Sequence, residues 1–253
     1  MSSTNINEAT KTLVSQGILS KTAANSLSYQ SRTVQLADIS NLYADPVFSC
    51  FLFDESGSMD PYKQAVLDGQ AEMIQILRSS HICKQSALFV VQYLFSDSVK
   101  VLHPFTLLSA SGQDKVVVLK SGDYYNPSST TALYSSLFYL LQDMAANIAN
   151  AQSSGIKCTF TIGVITDGED NHGEIQPSEI KTVIQEFQKK GILRSSVIIG
   201  LTNPKFSDIM LDEMKNTLGF QEKISLSQDA KEVRRAFVLA SQSSVSGQAK
   251  KTY

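Results

Sequence analysis

In the stretch "FLFDESGSMD", small oxygen-bearing side chains recur at every second position: Asp54, Ser56 and Ser58, directly after an apolar run. Two other segments carry the same chemistry. The polar loop "SGDYYNPSSTT" holds Ser128, Ser129, Thr130 and Thr131, and the apolar run "KCTFTIGVIT" stops at Asp167. Cysteine and histidine do not converge with these groups, so soft and borderline metals are poor matches. Hard oxygen donors with few formal charges suit Mg²⁺, with Mn²⁺ or Ca²⁺ as substitutes. Hydroxyls ligate such an ion weakly, carboxylates hold its remaining waters, and one coordination position stays open. Gly57 is expected to let the chain fold tightly enough for Ser56 and Ser58 to face one ion.

Such groups act together only if the fold delivers them to one place. Residues 47–53 read as a continuous apolar strand, and 157–166 as a second strand that also ends at an acid. Residues 61–79 read as a helix with Asp60 as N-cap and Pro61 in its first position. The segment "ALFVVQYLFSDSVKVLHPF" predicts a hairpin turning at 96–98. A short helix is expected over 112–120 and a long one over 132–151. Helix 177–190, strand 195–200, helix 207–216, a short strand near Ile224 and a last helix over 228–241 complete the alternation. This pattern predicts an α/β, doubly wound, mostly parallel sheet of Rossmann-like type, with one antiparallel edge strand and helices on both faces. In such sheets ligands bind in the crevice at the carboxyl ends of the strands. Asp54 and Asp167 then share one rim, and the loop before Ala132 can reach it.

With that placement, "DESGS", "TALYSSL" and "ITDGEDN" resemble the three loops of the metal-ion-dependent adhesion site (MIDAS) of von Willebrand factor A (vWA) domains. Asp54, Ser56 and Ser58 fall on the Asp-x-Ser-x-Ser element. Thr131 matches the lone threonine of the second loop, with Thr130 as the competing candidate, and Asp167 matches the third-loop aspartate. The resemblance implies that the serines and threonine ligate the ion directly, the threonine in some states only, while the aspartates act mostly through water. A glutamate or aspartate of a partner protein then completes the octahedron. The first forty residues stand outside this match and the Ser/Gly/Lys-rich end reads as frayed, so the expected division is an N-terminal helical extension (1–40), a vWA domain (41–242) and a flexible tail (243–253). Size and the tail look most similar to stand-alone bacterial vWA proteins such as the tellurium-resistance-associated kind. Kinase and phosphatase neighbours, or ATPase complex members acting in trans, become candidate partners on that basis.

Bulk properties narrow the classes further. The chain has 253 residues, 42% hydrophobic and 18% charged, which describes a globular protein without the polar excess of disorder. A formal net charge of -2 gives no electrostatic reason to expect nucleic acid or an anionic membrane surface as partner. The three cysteines lack metal-type spacing, and Cys50 and Cys158 sit in apolar runs. Buried free thiols in a reducing compartment are expected, and with no secretory leader or membrane-length apolar run the expected location is cytoplasmic.

Around the rim, Glu55, Asp60, Glu169 and Asp170 read as solvated charges. Tyr124, Tyr125 and Pro127 read either as interface anchors or as inward packing. His81, His103 and His172 are scattered, with His172 nearest the rim as a solvated loop residue. The first forty residues read as two short helices around Gly17 with Ser20 as a cap. They superficially suggest helix-turn-helix DNA binding, but carry few basic residues, so outside packing or partner docking is expected. The leading function is a non-enzymatic binding module that captures an acidic partner side chain through the metal. Its alternatives are a Mg-dependent phosphohydrolase, although no GxxxxGK[ST] loop is present, and a vWA subunit of an ATPase-driven assembly.

Overall fold

The computed structural model of the chain describes residues 2–39, 45–119, 125–168, 170 and 175–249, with backbone alone at 246–249. A two-stranded antiparallel pair, β1 (Ser3–Asn5) and β2 (Thr33–Gln35), brackets helices α1 (Ile6–Ser15) and α2 (Lys21–Ser28). Ser20 caps α2 by accepting from Ala23 N at 3.2 Å, and Gly17 turns the chain with φ 67°. The central strand β3 (Pro46–Asp54) leads through a 3-10 turn (Gly57–Tyr62) into α3 (Lys63–Ser79) and α4 (His81–Gln85). Then come β4 (Ala87–Phe95), β5 (Val99–Leu107), α5 (Leu133–Ser153), β6 (Thr159–Thr166), α6 (Pro177–Lys189), β7 (Leu193–Thr202), α7 (Asp208–Leu218), β8 (Glu222–Ser227) and α8 (Ala230–Ala249).

The six-stranded sheet has the order β5-β4-β3-β6-β7-β8, with only β5 antiparallel, so the expected α/β class is correct. All nine residues of β3 are buried because both of its faces are covered, which explains its unbroken apolar run. Phe48, Cys50 and Leu52 join the core beneath α5, while Val47, Phe51 and Phe53 join the core beneath α3 and α8. Residues 2–39 share the α5 core through Ile6, Leu13 and Leu27. They are latched to α5 by Arg32, which donates to Gln142 Oε1 and the Tyr139 carbonyl (2.7 Å each) and pairs with Asp143.

Three local expectations are corrected. Over 112–119 the chain is not helical: Asp114 accepts from Val116 N (3.0 Å) and Ser109 N (2.9 Å) and pairs with Arg78, an aspartate-anchored turn that competes with a helix. Asp60 does not cap α3, because Pro61 lies inside the 3-10 turn and α3 starts only at Lys63. The last helix does not end near Ser241 but runs to Ala249, since its serines have partners on the sheet. Ser244 Oγ lies 2.7 Å from both Ser49 Oγ and Thr161 Oγ1, and Ser243 Oγ lies 3.0 Å from Ser195 Oγ. The division at residue 40, like the end of the tail at 250–253, falls outside the described residues.

Strand order reverses between β3 and β6, since the chain builds outward from β3 through β4 and β5 before returning to β6. That reversal opens a crevice at the carboxyl ends of these two strands. Asp54 is the last residue of β3, and Asp167 follows the last residue of β6.

Candidate metal centre

At this switch point the hydroxyl and carboxylate groups form one connected cluster. Asp54 Oδ1 accepts from Ser56 N at 2.8 Å, and Asp54 Oδ2 accepts from Thr166 Oγ1 at 2.6 Å. Ser56 Oγ and Ser58 Oγ are 3.1 Å apart, and Ser58 Oγ donates to Asp167 Oδ1 at 2.8 Å. Asp167 Oδ2 accepts from Gln228 Nε2, and its carbonyl accepts from Asn203 Nδ2 at 3.2 Å. Asp54 and Asp167 are almost fully buried whereas Ser58 is exposed, so the cluster opens to solvent on the serine side. Burial pushes the Asp54 carboxyl above its ordinary value, against the pull of its hydrogen bonds. Burial, and then the charge of Asp54, raise Asp167 to about 6.

The second loop is stitched to the first. Ser128 N donates to the Glu55 carbonyl at 2.9 Å and Gly57 N to the Ser129 carbonyl at 3.3 Å. Ser129 adopts a left-handed φ of 65°, held by its hydroxyl donating to Asp97 Oδ2 at 2.9 Å. Ala132 N donates to the Ser96 carbonyl at 2.6 Å, fixing the chain where α5 begins. Thr131 is buried and lines one cleft with Ser58 and Asp167, whereas Thr130 is exposed. All five of Asp54, Ser56, Ser58, Thr131 and Asp167 are therefore brought together.

Solved structures with the same architecture share little sequence with the chain. It superposes on the von Willebrand factor type A protein from Catenulispora acidiphila with a TM-score of 0.55 at 17% identity, covering 79% of this chain and 43% of that one. A D319A mutant of the PilB minor pilin from Streptococcus sanguinis gives 0.53 at 15%, covering 81% and 62%. The vWF domain of the type V pili tip protein Mfa5 from Porphyromonas gingivalis gives 0.53 at 10%, covering 79% and 95%. The fold is that of a vWA domain. The chain spans less than half of the Catenulispora protein. No protein-family model and no curated protein matches the sequence.

The donor set of this vWA fold fits a small hard cation. Bonds of about 2.0–2.1 Å put neighbouring octahedral ligands roughly 3 Å apart, close to the 3.1 Å separation of Ser56 Oγ and Ser58 Oγ. Because the Ser58 proton points at Asp167, the oxygen lone pairs stay directed away from that carboxylate. Among the described residues no group of three or more His, Cys, Asp or Glu is arranged for a metal, so such a site depends on the hydroxyls.

Several participants escaped the sequence reading. Thr166 is the most direct, and its signal was only its place one step beyond the Phe53–Ile165 register pair. Gln228 and Asn203 come from distant segments and have no sequence signal. Glu55 is not solvated: it is buried, accepts from Asn126 N at 2.6 Å and has Lys100 3.6 Å away. Asp170 accepts from Tyr134 N at 2.9 Å in the first turn of α5. Tyr125 packs inward and donates to the Asp54 carbonyl at 2.7 Å. Gly57 needs no glycine, since an added Cβ would meet nothing closer than 3.7 Å and its φ is not positive. Glu169, His172 and Tyr124 lie outside the described residues, and His103 is buried, bonded to the Val117 carbonyl at 2.9 Å.

Proposed function

We propose that the chain is a non-enzymatic, metal-dependent protein-binding module. Ser56, Ser58 and Thr131 would hold a Mg²⁺ ion directly, with Mn²⁺ or Ca²⁺ as substitutes, and Asp54 and Asp167 would hold its waters. The bound ion supplies an electrophilic open position for a glutamate or aspartate of a partner. The observation that carries this reading is the pairing of hydroxyls with buried carboxylates. Ser58 Oγ lies 2.8 Å from Asp167 Oδ1 and Thr166 Oγ1 lies 2.6 Å from Asp54 Oδ2, an arrangement that places acids behind the hydroxyl oxygens and leaves the solvent side to an incoming group. Thr166, Ser56 N and Gln228 hold the two carboxylates in their orientation.

Calorimetric titration of Mg²⁺, Mn²⁺ and Ca²⁺ into the protein, with Asp54→Ala as control, tests the reading. One ion per chain is expected for the wild type and none for the variant; absence of metal uptake by the wild type sinks it. The phosphohydrolase alternative requires metal-dependent turnover of a generic phosphoester that Asp54→Asn abolishes, and the binding reading expects no turnover.

A further inference from the structure

We propose that the cleft beside the site receives an acidic segment of a partner protein in which the residue next to the acid is apolar. The inference rests on the metal-binding reading and adds to it the chemistry of the partner. The cleft has a volume of 650 Å³, within the range of pockets that enclose a ligand. Its lining combines a polar group, Ser58, Thr131 and Asp167, with an apolar group, Tyr62, Pro204, Phe206 and Met210. A free small acid would engage the polar group alone. The apolar group is covered by an apolar side chain carried on the same peptide.

The apolar group is built to hold its shape. Phe206 is buried, and Asn203 and Phe206 exchange backbone bonds of 3.0 and 3.1 Å. The Tyr62 hydroxyl donates to the carbonyl of Gln228 at 2.9 Å, tying this wall to the residue that holds Asp167. Met210, partly buried in the first turn of α7, adds a polarizable thioether suited to varied apolar groups. Its chain neighbour Ile209 is 71% exposed, the most exposed large aliphatic side chain among the described residues.

Charge decides which kind of side chain meets the polar group. Among the described residues Lys205 is the one basic residue lining the cleft, which Asp167 and Asp170 also line. Without a cation the carboxylates outnumber it and an acid is repelled. A divalent ion offsets them, and Lys205 then adds to the attraction of a carboxylate.

The test uses the full chain, ¹⁵N-labelled, with blocked tetrapeptides as probes: Gly-Asp-Leu-Gly, Gly-Leu-Asp-Gly, Gly-Asp-Gly-Gly and Gly-Asn-Leu-Gly. In Mg²⁺ at least one of the two Asp/Leu peptides should bind about tenfold more tightly than Gly-Asp-Gly-Gly, as expected for a partly buried leucine worth about 1.4 kcal/mol. Its shifts should map to the Asn203–Met210 backbone. The Asn peptide should not bind, and EDTA should abolish all binding. Met210→Ser should remove the leucine advantage with Mg²⁺ affinity unchanged, and the exposed Lys205→Gln should weaken every Asp peptide severalfold, with an unchanged dispersion of the ¹⁵N spectrum as the check on folding. Metal uptake with equal binding of the leucine and glycine peptides overturns the inference and leaves the proposed function standing. Absence of metal uptake overturns both.

Discussion

Mg²⁺ binding at pH 6 should release protons, and at pH 8 almost none. Asp167 is 3% exposed beside Asp54, which is 1% exposed, and burial plus the Asp54 charge raise Asp167 to about 6. A group with that value is about half protonated at pH 6, about one-tenth at pH 7 and about one-hundredth at pH 8. Binding a cation requires the ionised carboxylate. The ion should therefore displace about half a proton from Asp167 at pH 6, and its apparent affinity should fall about tenfold between pH 7 and pH 5. The same shift governs stability. The folded value lies above the ordinary 3.8, so Asp167 favours the fold below about pH 4, and that contribution is lost as pH rises through about 6. The loss is on the order of 3 kcal/mol, and a bound cation should restore it, so Mg²⁺ should raise the melting temperature at pH 8 and hardly at all at pH 4.5. Calorimetry in two buffers of different ionisation enthalpy counts the protons at each pH, with Asp167→Asn as the variant that removes them. Equal proton release at pH 6 and pH 8, or an affinity flat between pH 5 and pH 8, would refute the reasoning.

Three further outcomes follow from single contacts. Thr166→Val keeps the shape of a fully buried side chain but strips Asp54 Oδ2 of its 2.6 Å donor, so urea unfolding at pH 8 should show a loss of about 2 kcal/mol, and Mg²⁺ affinity should drop. Arg32→Met should cost about 3 kcal/mol at pH 8 by leaving Asp143 buried without its counter-charge. Burial already raises Asp143 to about 6, so this cost should shrink at pH 5, where the carboxyl takes up a proton. Gly69→Ala should lower the melting temperature despite the gain in helix propensity of about 1 kcal/mol. Its Cβ would stand 2.6 Å from the ring of Phe237, which is fully buried, and overpacking of that kind costs about 1–3 kcal/mol.

The doubly wound sheet was legible because strands covered on both faces need unbroken apolar runs, and 47–53 and 157–166 supply them. The convergence of Asp54, Ser56, Ser58 and Asp167 was legible for a related reason: a parallel sheet sends successive strand ends to the same rim. The segment 112–119 was misread because its conformation is set from outside it. Gln70 Oε1 accepts from Leu119 N at 3.0 Å, and Arg78 holds Asp114. The α8 serines were misread as a frayed end for the converse reason, since Ser49, Thr161 and Ser195 lie far away in sequence.

The sequence by itself determined the element order, the parallel sheet and the residue types at its carboxyl rim, because apolar periodicity and turn chemistry are local properties. Tertiary structure alone decided which oxygen faces which. Strand register sets Thr166 against Asp54, the start of α8 brings Gln228 to Asp167, and the β7–α7 connection gives the cleft its apolar wall. A hydrogen bond is sensitive to tenths of an ångström, and such distances between remote segments are fixed only when the core between them is packed.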